Sequence, residues 1–240
     1  MKLKSLLETR KFTLVATMPH TAECVDAVLK GGADALKMRC NVTHTGPLSA
    51  GILNGPFQER KGFLKEVIDM AGDVPVGLVP GSMESFITEA ERVEMEEMGF
   101  DYFNTHYKFA PSFMFESKVL DSVIAVTHDD YDNVIINGLN SCPKVDVVEV
   151  NVVSKDEMGT KLVYEDILRY TSMVKRLHQP IISTGQRHIK PSEIKHLYEA
   201  GCKAFMVGNV AFMANSPDGK LTPEICLRTT AAFREAIDKL

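Results

Sequence analysis

Two charged residues stand inside apolar, strand-like runs of this 240-residue chain: Lys37 in ADALKMRC and Glu149 in VDVVEVNVV. A lysine in such surroundings is not stable as an uncompensated cation, so it pairs with an acid or gives up its proton. The amine then attacks a carbonyl carbon or donates to its oxygen, while a carboxylate beside it moves a proton. Glu149 is the natural partner of Lys37, either as a reacting pair or as an ion pair that plugs an interior. Residues two apart on a strand share a face, so Arg39 goes with Lys37, Asn151 with Glu149, and Asn104 with His106 in FDYFNTHY. His20, His106 and His128 end or follow strand-like runs and add groups that titrate near neutral pH. His128, Asp129 and Asp130, with Glu149, offer donors to a divalent metal, although no HxH or HExxH spacing accompanies them. No metal or cofactor is assigned on this pattern.

The elements that must position these groups alternate between short β-rich runs and helical patterns. Strands are expected near FTLVATM, ADALKMRC, VPVGLV, FDYFNTHY, SVIAVTH, VDVVEVNVV, PIISTG and KAFMVGN. ECVDAVLKGG, SMESFITEAERVEMEEMG and PSEIKHLYEAG read as helices; the second is expected to start at a Ser82 cap and stop at Gly99, and each hands over to a strand through a glycine. Eight strands with no inserted antiparallel hairpin favour a single (β/α)8 TIM barrel over residues 1–240, rather than an open doubly wound sheet. The segment 41–60, rich in Gly, Pro, Ser and Asn, is expected to be a loop covering the barrel mouth. HYKFAPSFMF is too apolar for an ordinary solvent loop and reads as a pocket wall, an oligomer contact or core packing, whereas ERVEMEEM reads as a solvated face.

Composition narrows the function classes. With 45% hydrophobic and 25% charged residues the chain can bury one large core, and no run approaches the length of a membrane span. A net charge of -5 disfavours nucleic acid and anionic membranes, leaving a small molecule as the expected partner, with a homo-oligomer as a further expectation. Five scattered cysteines without a CxxC pair fit reduced thiols and a cytoplasmic address. Cys40 ends a strand and reads as a buried small hydrophobe.

The seventh and eighth runs break at Gly185 and Gly208, each followed by an amide side chain, Gln186 and Asn209. In a (β/α)8 barrel a phosphate commonly sits between the loops after these two strands, where glycine lets backbone N–H groups approach closely. The stretches STGQ and EAGCKAFMVGNVAF, and more weakly VDAVLKGGADALKMR, resemble the ribulose-phosphate-binding barrels. That group includes indole-glycerol-phosphate synthase, phosphosugar epimerases and keto-acid phosphate aldolases. The resemblance implies a phosphate cradle at Gly185, Gln186, Gly208 and Asn209. It departs from the individual families: VATMPH lacks the synthase lysine, and VGLVPG and ISTGQ lack the epimerase lysine and acid. Relative to the aldolases, Lys37 on the second strand and Glu149 on the sixth look exchanged.

The expectation is an enzyme acting on a small phosphorylated sugar or keto-acid, with aldolase-, epimerase- or isomerase-type chemistry next to a carbonyl. Lys37, Glu149, His106 and His128 are the candidate reacting groups; Arg39, Asn151, Gly185, Gln186, Gly208 and Asn209 are the candidate binding residues. The alternative is a non-catalytic barrel that keeps the phosphate cradle as a sensor or assembly subunit.

Overall fold

Eight parallel strands close on themselves in a computed structural model, which describes residues 2–17, 21–43, 53–128 and 130–240. They are β1 (Thr13–Thr17), β2 (Ala35–Arg39), β3 (Val76–Val79), β4 (Tyr102–His106), β5 (Asp121–Val126), β6 (Val147–Val150), β7 (Ile181–Thr184) and β8 (Ala204–Val207). Each pairs in parallel with the next, and β8 closes on β1 through Ala204↔Thr13 to Val207↔Ala16. The helices are α1 (Leu3–Thr9), α2 (Ala22–Lys30), α3 (Phe57–Ala71), α4 (Glu89–Met98), α5 (Asn133–Ser141), α6 (Tyr164–Arg176), α7 (Ile194–Glu199), α8 (Asn209–Ala214) and α9 (Pro223–Asp238). The architecture is a (β/α)8 TIM barrel.

Strand alternation decides what faces the interior. Val15, Ala35, Tyr102, Val123, Val147, Ile182 and Met206 form one apolar cluster inside the barrel, separate from the larger layer between strands and helices. Two residues further along each strand, toward its C-terminal end, the same inward face carries Thr17, Lys37, Asn104, Ala125, Glu149, Thr184 and Gly208. The floor is therefore dry and the mouth polar. Helix α1 seals the opposite end, with Leu3, Leu6 and Leu7 inside the interior cluster.

Tyr102 fills the space under the polar layer. Its ring occupies the position opposite Gly77 on β3, where an added Cβ would lie 2.1 Å from the ring, and its hydroxyl donates to the Leu36 carbonyl at 2.7 Å. Any side chain at residue 77 would displace this ring.

Several local expectations change. Helix α4 starts not at Ser82 but at Thr88, whose hydroxyl accepts from the Glu91 amide while the Glu91 carboxylate takes the Thr88 amide, a capping box. Gly99 does end it, at a φ of 97°. The face ERVEMEEM is only partly solvated, because Arg92 and Met95 are buried and Arg92 pairs with Glu96. HYKFAPSFMF is core packing: Met114 is fully buried, Phe115 meets Phe103 edge-on at 5.5 Å, and Phe113 meets Phe86 at 6.5 Å. An antiparallel pair does interrupt the barrel, joining Val42–Thr43 to Leu53–Asn54. The segment 41–60 therefore contains a strand pair and the first turn of α3, while residues 44–52 lie outside the described residues, as do His20 and Asp129. No described helix is long and apolar enough to cross a membrane.

Candidate active site at the barrel mouth

Lys37 and Glu149 start from strands on opposite sides of the barrel and meet inside it: Nζ lies 2.7 Å from Oε2. The Lys37 side chain is 4% exposed and that of Glu149 12%. Burial pulls the Lys37 amine below its ordinary pKa, partly offset by Glu149 and assisted by the neighbouring Arg39 cation. The pair is a charge-assisted hydrogen bond at the edge of an apolar interior, where burial makes the Lys37 proton easier to lose.

Arg39 follows Lys37 on the same inward face. Burial pulls its guanidinium down to about 10 against the attraction of Glu149, so it remains a cation at neutral pH. Its Nε is buried without a hydrogen-bond partner, and so are Thr184 Oγ1 and Gln186 Oε1, both near the same end of the barrel. Asn151 Oδ1 accepts from the Val153 amide at 2.9 Å and so shapes the turn after β6.

His106 belongs to a second cluster on the rim. Its Nδ1 accepts from the Lys108 amide at 3.2 Å, so Nε2 carries the proton and donates to Asp130 at 2.8 Å. Both ring nitrogens are engaged within the protein, and Tyr107 and Phe109 stack on the ring at 4.9 and 5.5 Å. Burial lowers the His106 pKa against the pull of Asp130, which favours neutral imidazole. Asp130 also accepts from the Thr127 hydroxyl at 2.6 Å, from Tyr107 at 3.1 Å and from Lys108. Burial opposes its charge, but these donors outweigh burial and hold the carboxyl far below the usual range. Asp130 is thus committed to the rim and Glu149 to Lys37. Among the described residues no three His, Cys, Asp or Glu side chains gather as a metal site. His128 stands half-buried beside Thr127. Burial pushes the Cys40 thiol up to about 12, which leaves it inert.

Where the sequence points to a phosphate cradle, Gly185 and Gly208 have no room for a side chain. A Cβ at Gly185 would lie 2.6 Å from the Met206 carbonyl oxygen, and one at Gly208 would lie 2.7 Å from Thr17 Cγ2. Gly208 leads into α8, the short extra helix that follows the last barrel strand. Thr17 in turn pairs with Lys37 across β1 and β2, so Gly208 lies two strands from the lysine.

A residue that the sequence reading missed fastens this region. Arg187, next to Gln186, is 6% exposed and grips Asp166 of α6 through Nε at 2.9 Å and Nη2 at 3.0 Å. It also meets the Glu157 carboxylate at 3.1 Å and the Thr160 hydroxyl. The loop after β6 is further latched by Gly159 N–H to Gln186 O at 2.7 Å. The sequence signal was an arginine directly behind the cradle glutamine, with acids opening α6; the pairing itself spans 21 residues.

This tether has a pH signature. The Ser154 hydroxyl and Arg187 hold the Glu157 carboxyl down at about 2, against an ordinary 4.5. A carboxylate depressed in the folded state contributes stability above its unfolded value, and loses it as pH falls through the folded value. The melting temperature of the parent should exceed that of Glu157→Gln above pH 4.5, and the two curves should converge as pH approaches about 2. Parallel curves across that window would show that the tether does not depend on this charge.

The fold and the site define a class: a (β/α)8 barrel with a buried lysine–carboxylate pair at the C-terminal ends of its strands, where this fold carries active sites. No protein-family model and no curated protein matches the chain. Solved structures share the barrel. A tryptophan synthase alpha chain from Legionella pneumophila is 16% identical with a TM-score of 0.69, covering 99% of this chain and 96% of that one. Thiamine phosphate pyrophosphorylase from Pyrococcus furiosus is 14% identical with a TM-score of 0.62, covering 95% and 96%. A structure described as native KDPGal is 15% identical with a TM-score of 0.62, covering 100% and 98%. At these identities the likeness shows the fold.

Proposed function

We propose that this chain is an enzyme acting on a small phosphorylated carbonyl compound, a sugar or a keto-acid, and that it makes or breaks a bond next to the carbonyl. The observation that carries this reading is the Lys37–Glu149 contact of 2.7 Å in a nearly closed interior. Passing its proton to Glu149 leaves Lys37 a neutral amine. The amine adds to the carbonyl carbon, and loss of water, with Glu149 returning a proton to the departing oxygen, leaves an iminium. The iminium draws electrons from the adjacent C–C or C–H bond, which is the common first requirement of aldol cleavage and of isomerisation. The reading gives the electrophilic work to the lysine and assigns no metal or organic cofactor.

The phosphate of the substrate would rest on Gly185, Gln186, Gly208 and Asn209, supplying binding energy away from the reacting carbon. Support comes from the close backbone approaches at both glycines and from α8 behind Gly208. The names of some solved barrels of this shape, such as thiamine phosphate pyrophosphorylase, are consistent with it. Asn151, His106 and His128 are then rim groups around the same mouth, His106 positioning Asp130 rather than taking a proton from substrate.

Borohydride reduction in the presence of a panel of phosphorylated ketoses and keto-acids tests the reading. A covalent mass increment on the peptide containing Lys37, absent without borohydride, is the expected result. A panel that binds without trapping, and without turnover, would favour a phosphometabolite-binding barrel instead, a reading consistent with a lysine already satisfied by Glu149.

A further inference from the structure

Among the described residues of the mouth, charge bookkeeping leaves one cation over. Lys37 and Glu149 answer each other, while Arg39, two residues on along the same inward face, makes no hydrogen bond or ion pair with a described residue, and its Nε is buried. Other arginines with little exposure are provided for: Arg187 has Asp166 and Glu157, Arg92 has Glu96, and the half-buried Arg234 has Asp34 and Asp238. Arg60, Arg92 and Arg234 also have a buried Nε without a partner, but Arg92 and Arg234 hold ion pairs through their other nitrogens and Arg60 lies over the Phe63 ring at 5.1 Å. A guanidinium keeps its charge and offers a planar fork of donors, so a half-buried one without an acceptor among the described residues is open to an arriving anion.

We infer that Arg39 is the seat of a second anionic group of the substrate, a carboxylate, and that the substrate class is phosphorylated carboxylic acids rather than neutral phosphosugars. The inference rests on the phosphometabolite reading of the mouth and narrows it. One unanswered positive charge matches the single charge of a carboxylate better than the two of a phosphate, and the fork matches two coplanar oxygens. The spacing fits as well. Gly208 approaches Thr17 of β1, and Thr17 pairs with Lys37 of β2, so Gly208 and Lys37 are two strand spacings apart, about 10 Å, and Arg39 lies two residues, roughly 7 Å, further along β2. A short carbon chain with an anion at each end spans that gap once side chains reach inward.

The test compares matched ligands by calorimetric titration: glycerol 3-phosphate, 3-phosphoglycerate and propane-1,3-diol bisphosphate, on the parent chain, Arg39→Gln and Gly208→Val. In the parent, 3-phosphoglycerate should bind at least about tenfold tighter than glycerol 3-phosphate. Arg39→Gln should erase that advantage while leaving glycerol 3-phosphate binding unchanged, and Gly208→Val should weaken all three. If glycerol 3-phosphate binds but the carboxylate adds nothing, or its advantage survives Arg39→Gln, the inference falls and the phosphate cradle stands. If the bisphosphate gains as much as 3-phosphoglycerate, the second group is not specifically a carboxylate and the inference falls likewise. If none of the three binds, the phosphometabolite reading falls with it. Arg39→Gln should also melt no lower than the parent, since it removes an unanswered cation; a large drop would make Arg39 structural and overturn the assignment.

Discussion

Lys37→Met should abolish borohydride trapping and reduce turnover by about a thousandfold or more, because a thioether supplies neither nucleophile nor proton. Phosphate binding should survive, since the proposed cradle residues follow β7 and β8, with Asn209 opening α8. The same change strands the Glu149 carboxylate. Breaking a buried pair by removing one partner commonly costs about 3–5 kcal/mol. Here the cost should fall at or below the lower end, because Glu149 keeps some contact with solvent and Arg39 is close enough to favour its charge. Lys37→Met with Glu149→Gln should recover most of the lost stability without recovering turnover, and a thermal melt with a parallel activity assay separates the two effects. A double variant that is both stable and fully active would remove Lys37 and Glu149 from the chemistry.

Asp166→Ala should be the most destabilising single change around the mouth. It leaves the Arg187 guanidinium 6% exposed with two of its hydrogen bonds gone, at 2.9 and 3.0 Å in the parent. A loss of about 3–5 kcal/mol follows, with a fall in melting temperature of roughly 10 °C for a chain of this size. Asp166 also accepts from the Val163 amide at 3.0 Å, so the start of α6 loosens together with the loop. Asp166→Leu with Arg187→Met should restore much of the stability by replacing the ion pair with apolar contact. If Asp166→Ala melts with the parent, the two loops are held by other contacts and Arg187 has no fastening role.

The barrel was legible in the sequence because each strand is short, apolar and closed by a turn residue, signals local enough to read one run at a time. The Lys37–Glu149 pair was legible for a related reason: a charge in an apolar, inward-facing run needs an opposite charge, and few are placed to supply it. Arg187 was not legible because its acceptors lie on another helix and another loop, and nothing near STGQRH names them. What holds His106 was hidden for a different reason. Its position on an inward face was right, but the Lys108 amide behind it and Asp130 before it consume both nitrogens, a matter of backbone geometry rather than residue type. The start of α4 moved from Ser82 to Thr88 because only Thr88 has Glu91 three residues on to complete the reciprocal cap. The strand pair from Val42 to Asn54 is too short for periodicity to reveal.

Helix α1 has a consequence for the order of events in synthesis. It leaves the ribosome before any strand, yet the surface it docks on is assembled from residues of β1, β2, β4, β5, β6, β7 and β8, the last of them Met206. The leucines that seal the barrel can reach their final places only after the closing strand has arrived. Their apolar face must wait, uncovered or in provisional contacts, until all eight strands have been made. A segment made ahead of every strand is thus among the latest to be fixed, and the apolar floor beneath Lys37 is completed from the far end of the barrel.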